Sequence, residues 1–395
     1  MTPTSRARLA VSVAFAVHGV VSASWLPHIP QIKAALDLSE GQLGLVLLAP
    51  PAGAILAMPL TGALCARFGS AAVTKVTMPL YAAGFTAVGA GVGAPWTLAA
   101  ALLLAGALIG SFDVAMNAQA ATVERAAGTP IMGSFHAVWS LAAAAGAGIG
   151  GLAAQWEVPL FAQLAALGSV GVVAALLFGR FLLPDGPVDA SATKRRGWRF
   201  ERGLLISSLV AFAALLAEGA AADWSALFLQ QTQDAGPFVA SLGYTIFSIA
   251  MFVGRLAGDR LVGRYGRGRS IATAALSGGG GLAVGLAAAT VTGPGVAGQT
   301  LVISGLLALG LGIAVIVPVV FSAAGDGPGI AMVSTGGYTG WLLGPAVIGG
   351  LGEWLGLTSA IWTIPLLAII AGALAPLGVR SLRGDRDEVR EPHVV

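Results

Sequence analysis

Three carboxylates interrupt apolar runs of this 395-residue chain: Asp113, Glu218 and Asp223. Asp113 is flanked by Phe112, Val114 and Ala115 and lies about two-thirds of the way through an apolar stretch of helical length. In a membrane helix a charged side chain at that depth costs roughly 2.5–3.5 kcal/mol on insertion scales, so an acid kept there is a functional candidate. Asn117 follows four residues later. Gly106, Gly110, Asp113 and Asn117 fall at helical spacing, forming a small-and-polar stripe that could face a central cavity. A carboxyl that takes up a proton on one side of a membrane and releases it on the other is what proton coupling requires. The alternative is a structural acid hydrogen-bonded to a neighbouring helix.

Glu218 stands near the middle of a later apolar stretch, and Asp223 follows it by five positions. At 3.6 residues per turn the two are rotated by about 140°, so they share one face only if the helix unwinds locally. Glu218, the deeper of the two, is the second coupling candidate. His18, Ser22 and Trp25 align on one face of the first stretch. Histidine titrates near neutral pH, so His18 could relay a proton or bind a solute hydroxyl; a histidine satisfied by a backbone carbonyl is the plain alternative. His136, with Ser140 four residues on, is read in the same way. Trp25, Trp139, Tyr338 and Trp341 could stack on the apolar C–H face of a sugar while Asn117 and the carboxylates take hydroxyls. Trp96, Trp156 and Trp354, beside turns, suit interfacial anchoring instead.

These residues need helices to position them. Hydrophobic residues make up 56% of the chain and charged residues 10%, with a mean hydropathy of +0.85. A soluble domain carries about 25% charged residues, so an all-α polytopic membrane protein is the class that remains. Spans of about 20 apolar residues can be marked at about 8–32, 42–64, 72–93, 97–121, 131–154, 160–182, 204–230, 238–260, 270–291, 298–323, 330–352 and 356–379. With the N-terminus inside, only Lys33 of the 21 lysines and arginines falls on the outer side, the bias of the positive-inside rule. The reading is therefore twelve helices with both termini cytoplasmic, in a bacterial inner membrane. A net charge of +3 distributed in this way does not point to nucleic acid.

Arg67-Phe68-Gly69 returns as Arg264-Tyr265-Gly266, half a chain later. One unit made twice suggests a secondary transporter, with the solute site between two copies. The expected organisation is an N-terminal six-helix bundle over 1–183, a basic linker over 184–202, a C-terminal six-helix bundle over 203–380 and a tail over 381–395. The linker carries Lys194-Arg195-Arg196 and Arg199, suited to anionic lipid headgroups or to a solvated tether. The tail, with Arg383, Asp385, Arg386, Asp387 and Glu388, reads as disordered. Many of the 57 glycines would let helices approach closely in a bilayer. Pro50-Pro51, Pro59, Pro318 and Pro345 should bend theirs.

Several chemistries find no residues. No Gly-x-x-x-x-Gly-Lys-[Ser/Thr] supplies a P-loop, and no His-Glu-x-x-His or Cys-x-x-Cys occurs. Cys65 is the single cysteine, which excludes an intrachain disulfide. No nucleophile and base pair marks an enzyme. The expectation is a monomer without metal or cofactor, driven by a proton gradient.

Two six-helix halves with basic loops after the second and eighth helices resemble the major facilitator superfamily. Gly254-Arg255-Leu256-Ala257-Gly258-Asp259-Arg260-Leu261-Val262-Gly263-Arg264-Tyr265-Gly266-Arg267 resembles its Gly/Asp/Arg loop signature. The first copy, Gly62 to Gly69, has Ala66 where an acid is usual. The resemblance implies two bundles rocking about a central site, with Arg67, Arg255, Asp259 and Arg264 as a latch between them; positive-inside retention alone is the other account of the arginines. Asp113-Val114-Ala115-Met116-Asn117 and Leu26-Pro27-His28 are similar to bacterial fucose/proton symporters, although Ala23 stands where those proteins carry a second acid. Glu218 to Ser225 resembles the seventh helix of a related permease group. Together these imply proton-coupled transport of a small, polar, neutral, sugar-like solute. The rival reading is a proton-driven exporter of amphipathic compounds, and a lesser one is a non-transporting sensor or scaffold.

Overall fold

The two Arg-x-Gly turns repeat in geometry as well as in sequence. Gly69 ends one helix at φ 82° and Gly266 ends another at φ 79°, backbone that side-chain-bearing residues rarely adopt. In each turn the guanidinium lies over the next ring, Arg67 over Phe68 at 5.1 Å and Arg264 over Tyr265 at 5.4 Å.

The computed structural model describes residues 2–129, 131–185, 202–324 and 328–388, and every regular element in it is helical. Twelve passes follow in order. The first half holds α1 (Pro3–Ala35), α2 (Glu40–Phe68), α3 (Ser70–Gly84, continued as Thr86–Ala90), α4 (Pro95–Ala127), α5 (Met132–Gln155) and α6 (Leu160–Phe181). The second holds α7 (Arg202–Gln233), α8 (Pro237–Tyr265), α9 (Arg267–Thr292), α10 (Val296–Ala324), α11 (Pro328–Leu355) and α12 (Leu357–Ala360, continued as Thr363–Glu388). Among the described residues ten are long and apolar enough to cross a membrane; α3 and α11 complete the twelve. The basic run at Lys194-Arg195-Arg196 and Arg199 lies outside the described residues. The tail expectation is corrected: α12 continues through Glu388.

Proline sets where the passes break. A 3-10 turn at Leu26–His28, containing Pro27, divides α1. Passes α2 and α10 each pause just before a proline, ahead of Pro50-Pro51 and of Pro318, since proline can start a helical segment but cannot donate back into the preceding turn. Pro59 and Pro345 sit inside their helices.

Glycine sets the crossings. A Cβ at Gly106 of α4 would collide with the Pro50 carbonyl of α2, one at Gly150 of α5 with the Ser24 carbonyl of α1, and one at Gly168 of α6 with the Ala82 carbonyl of α3. The second half repeats the three pairs. Gly340 of α11 closes on Phe212 of α7, Gly310 of α10 on Phe247 of α8, and Gly279 of α9 on Pro365 of α12. These are the close backbone approaches that small residues permit in lipid, and their repetition is the internal pseudo-symmetry.

The halves meet along α5 and α8, and where α11 packs on the first segment of α2, Glu40–Val46. That second contact is on the face that carries Lys33. Toward the opposite, basic face, a Cβ at Gly62 of α2 would meet nothing within 4 Å. On the Lys33 face the halves are in backbone contact, Gly44 of α2 against Pro345 and Gly349 of α11.

Candidate functional site

Asp113 and Asn117 lie one turn apart on α4, both half-buried. The Asn117 amide donates to the Asp113 carboxylate at 3.0 Å and to its backbone carbonyl at 2.9 Å. Across the interface, Tyr338 of α11 is within electrostatic reach of Asp113. The stripe expected around it divides. Gly106 and Gly110 are buried against Pro50 and Ala54 of α2, leaving only its polar end for a cavity. The two glycines answer the need for close packing, which helical spacing alone does not distinguish from a lining role.

His18 is buried, and its partner is not the backbone carbonyl considered from sequence. The Trp139 indole N–H of α5 donates to His18 Nδ1 at 2.8 Å. An indole nitrogen can only donate, so the neutral imidazole carries its proton on Nε2. Tyr81 of α3 stacks on the ring at 5.1 Å and 8°, and its hydroxyl donates to the His18 carbonyl at 2.9 Å. Ser22 bonds to the same carbonyl at 2.7 Å. His18 Nε2 has no hydrogen-bond partner among the described residues. His18 is therefore a clamped ring with one unspent donor. Trp25 is buried at the break of α1, away from the exposed position an anchor would take.

A second cluster spans the seam between the halves. Arg255 of α8 donates to Ser140 of α5 at 2.5 Å and pairs with Glu218 of α7 at 3.5 Å. Both side chains of the ion pair are about one-fifth exposed (21% and 19%). His136, an exposed residue one turn before Ser140, packs edge-on to Phe15 at 5.2 Å and is within electrostatic reach of Arg255. Arg255 is thus not a loop residue as its place in the signature suggests. It sits inside α8, well before the turn at Gly266, and holds two helices of its own half and one of the other.

Helix α7 is unbroken from Arg202 to Gln233, so Glu218 and Asp223 stay on different faces. They share a neighbour nonetheless, since Tyr244 of α8 is within electrostatic reach of both. Trp341 of α11 lies against Gly219, where a Cβ would come within 2.7 Å of its ring. Tyr338 and Trp341 remain 41% and 36% exposed; Trp341 lies beside the Glu218 cluster through Gly219. Trp96, Trp156 and Trp354 are among the most exposed large side chains, at helix ends.

At the basic face, Arg67 and Arg264 are exposed and form no ion pair among the described residues. The side chain of Asp259 lies outside the described residues. What the structure adds here is Asp185, which follows α6. Its carboxylate accepts from the Ser70 and Ala71 amides at 2.9 and 3.0 Å and from the Ser70 hydroxyl at 2.5 Å. Burial alone would raise this carboxyl, but those hydrogen bonds outweigh burial and hold it below the ordinary carboxylate value. The N-terminus of α3 is thereby capped by an acid from the end of the first half. Nothing in local sequence announces it. Among the described residues no group of three His, Cys, Asp or Glu side chains could hold a metal.

The fold and these clusters define a class, and comparison with known proteins agrees. The model of the Major Facilitator Superfamily matches residues 11–329. An uncharacterized MFS-type transporter of Yersinia pestis is 34% identical over 389 residues, covering 93% of this chain and 94% of that protein. The membrane protein MosC of Rhizobium meliloti is 31% identical over 372 residues, covering 91% and 87%. Among solved structures, a D-xylose-proton symporter superposes with a TM-score of 0.70 at 14% identity, covering 94% of this chain and 97% of that one. The nucleoside transporter NupG (D323A mutant) superposes with a TM-score of 0.69 at 14% identity, covering 95% and 99%. The chain belongs to the Major Facilitator Superfamily and is a multi-pass membrane transporter of that family.

Proposed function

We propose that this transporter moves a small, polar, neutral, sugar-like solute by proton-coupled alternating access, with Asp113 as the proton carrier. The observation that carries the reading is the contrast between the two deep acids. Glu218 is tied to Arg255, so neutralising Glu218 would strand a half-buried guanidinium, a costly event. Asp113 has an amide as its partner, so protonating it strands no cation. A carboxyl that exists in both forms without disturbing its surroundings suits a carrier; a paired one suits a strut. This keeps Asp113 ahead of Glu218, the second candidate of the sequence reading.

The solute class follows from the groups between the halves. Asn117, the Asp113 carboxylate and the Tyr338 hydroxyl offer donors and acceptors for hydroxyl groups, and Trp341 offers a flat apolar face. His18, through its unspent Nε2–H and its bond to Trp139, and Asp223 and His136 at the margins, complete the candidate lining. Arg255, the half-buried cation at the seam between the halves, is already compensated by Glu218, which supports a solute without net charge. The D-xylose-proton symporter among the similar folds is in keeping with this reading. Function as a monomer in a bacterial inner membrane, with cytoplasmic termini and no cofactor or enzymatic activity, belongs to the same proposal.

The test uses purified protein in liposomes enclosing a pH-sensitive dye. Neutral sugars and polyols are added first, then lipophilic cations. Internal acidification on adding a sugar, abolished in Asp113→Asn, is the expected result. Proton movement in the opposite sense with lipophilic cations alone would replace symport by export. Silence with both sets in folded protein would overturn the solute and coupling assignment made here.

A further inference from the structure

The acid that is usual in the loop after α2 is absent, since Ala66 stands there. At the opposite end of α2, on the face that carries Lys33, an acid joins this helix to α11. Glu353, at the end of α11, accepts a hydrogen bond from the Gly41 amide at the start of α2 at 3.0 Å. Gly41 lies in the first turn of the segment Glu40–Val46, capped by Ser39 and Gln42 in a capping box. The partners are 312 residues apart in sequence and belong to different halves. Lys33 pairs with Glu40 at 3.3 Å beside this contact. Directly below, α2 and α11 meet backbone to backbone: a Cβ at Gly44 would lie 2.7 Å from the Pro345 carbonyl oxygen and 3.0 Å from Gly349 Cα.

We propose that Glu353 is the outer gate clasp of this transporter, holding α11 on the N-terminus of α2 and so keeping the solute pathway shut on the face that carries Lys33. Three features combine. The free amides and partial positive charge of a helix N-terminus favour an anion. The Gly44 and Gly349 contact brings the two helices close enough for Glu353 to reach that terminus. Lys33, held by Glu40, adds a cation at the same rim. The clasp joins rigid halves, so it must open each time the pathway turns outward. Without added solute the clasp therefore favours the state closed outward. The inference rests on alternating access but not on any choice of solute.

The test is accessibility without solute. In a Cys65→Ser background, Ala346→Cys serves as the reporter, because Ala346 Cα lies 3.5 Å from a Cβ placed on Gly44 and the residue is half-buried at this contact, so opening the gate exposes it further. Spheroplasts are labelled from outside with a membrane-impermeant maleimide. Glu353→Ala should raise the labelling rate by up to about fivefold, the upper end for losing a surface charge at a helix N-terminus. Glu353→Gln, which keeps the shape and an acceptor, should fall between, and it stands alone if the alanine variant fails to accumulate. Glu157→Gln, an exposed acid outside the clasp, should leave labelling unchanged. Equal labelling of the parent, Glu353→Ala and Glu353→Gln would overturn the clasp. Because no solute is added, a wrong solute or coupling assignment cannot produce that result.

Discussion

Removing Arg255 isolates the energetic role of the seam between α5, α7 and α8. Its guanidinium lies 3.5 Å from Glu218. At that separation two unit charges attract by about 5 kcal/mol for an effective dielectric of 20 and by about 1 kcal/mol in water. With about one-fifth of each side chain exposed (21% and 19%), the net coupling lies between those limits, about 2–3 kcal/mol. Arg255→Met leaves the Glu218 carboxylate half-buried without its cation and should be markedly destabilising. Glu218→Gln should destabilise by a similar amount, for the converse reason. The double variant Arg255→Met/Glu218→Gln removes both charges and should be less destabilised than the sum of the singles by that coupling energy. Cys65, the single cysteine, is buried, so a thiol-reactive dye that fluoresces on reaction reports thermal unfolding of the purified protein directly. Single variants whose losses simply add in the double, within about 0.5 kcal/mol, would refute the pair as a coupled strut. The contrast drawn between Glu218 and Asp113 would fall with it.

Two further outcomes follow from the packing. Asp185→Asn should destabilise the first half at neutral pH by about 1 kcal/mol, the scale of a helix-terminal charge contact. Because the folded carboxyl is held below its ordinary value, its contribution is present above the unfolded pKa and is lost as pH falls through the folded one. The melting-temperature gap between parent and Asp185→Asn should therefore close on acidification, and a gap independent of pH would contradict the cap. Gly106→Ala places a Cβ against the Pro50 carbonyl, and overpacking of this kind costs about 1–3 kcal/mol. A lower melting temperature or yield is expected, whereas Gly148→Ala, which meets nothing within 4 Å, should behave as the parent.

What the sequence disclosed was local or periodic. The twelve passes follow from apolar length, and the repeated turns from arginine and glycine at fixed offsets. The bond from Asn117 to Asp113 spans one helical turn and could be drawn from spacing alone. Other features depend on which helices become neighbours. His18 and Trp139 were each candidates, but the bond between them joins residues 121 apart. Asp185 reaches Ser70 across 115 residues, and Glu353 reaches Gly41 across 312; a lone acid at a helix end carries no local mark of such a partner. Arg255 was misplaced because the loop signature groups it with Arg264, whereas helix α8 runs on past it for more than two turns before Gly266 ends it. Gly106 and Gly110 shared a spacing with Asp113, but a glycine that lines a cavity and one that packs a crossing look alike until the facing helix is known.

The account turns on Asp113 as the carrier of the proton, and the most direct measurement separates coupling from passage. Proteoliposomes containing the parent or Asp113→Asn are given a labelled sugar that drives the dye response of the parent. Accumulation against a gradient under an imposed proton gradient is compared with one-for-one exchange at equilibrium. The account predicts that Asp113→Asn keeps exchange, because Asn117, Tyr338 and the gate are intact, and loses accumulation. Accumulation retained in Asp113→Asn at the parent level would contradict it.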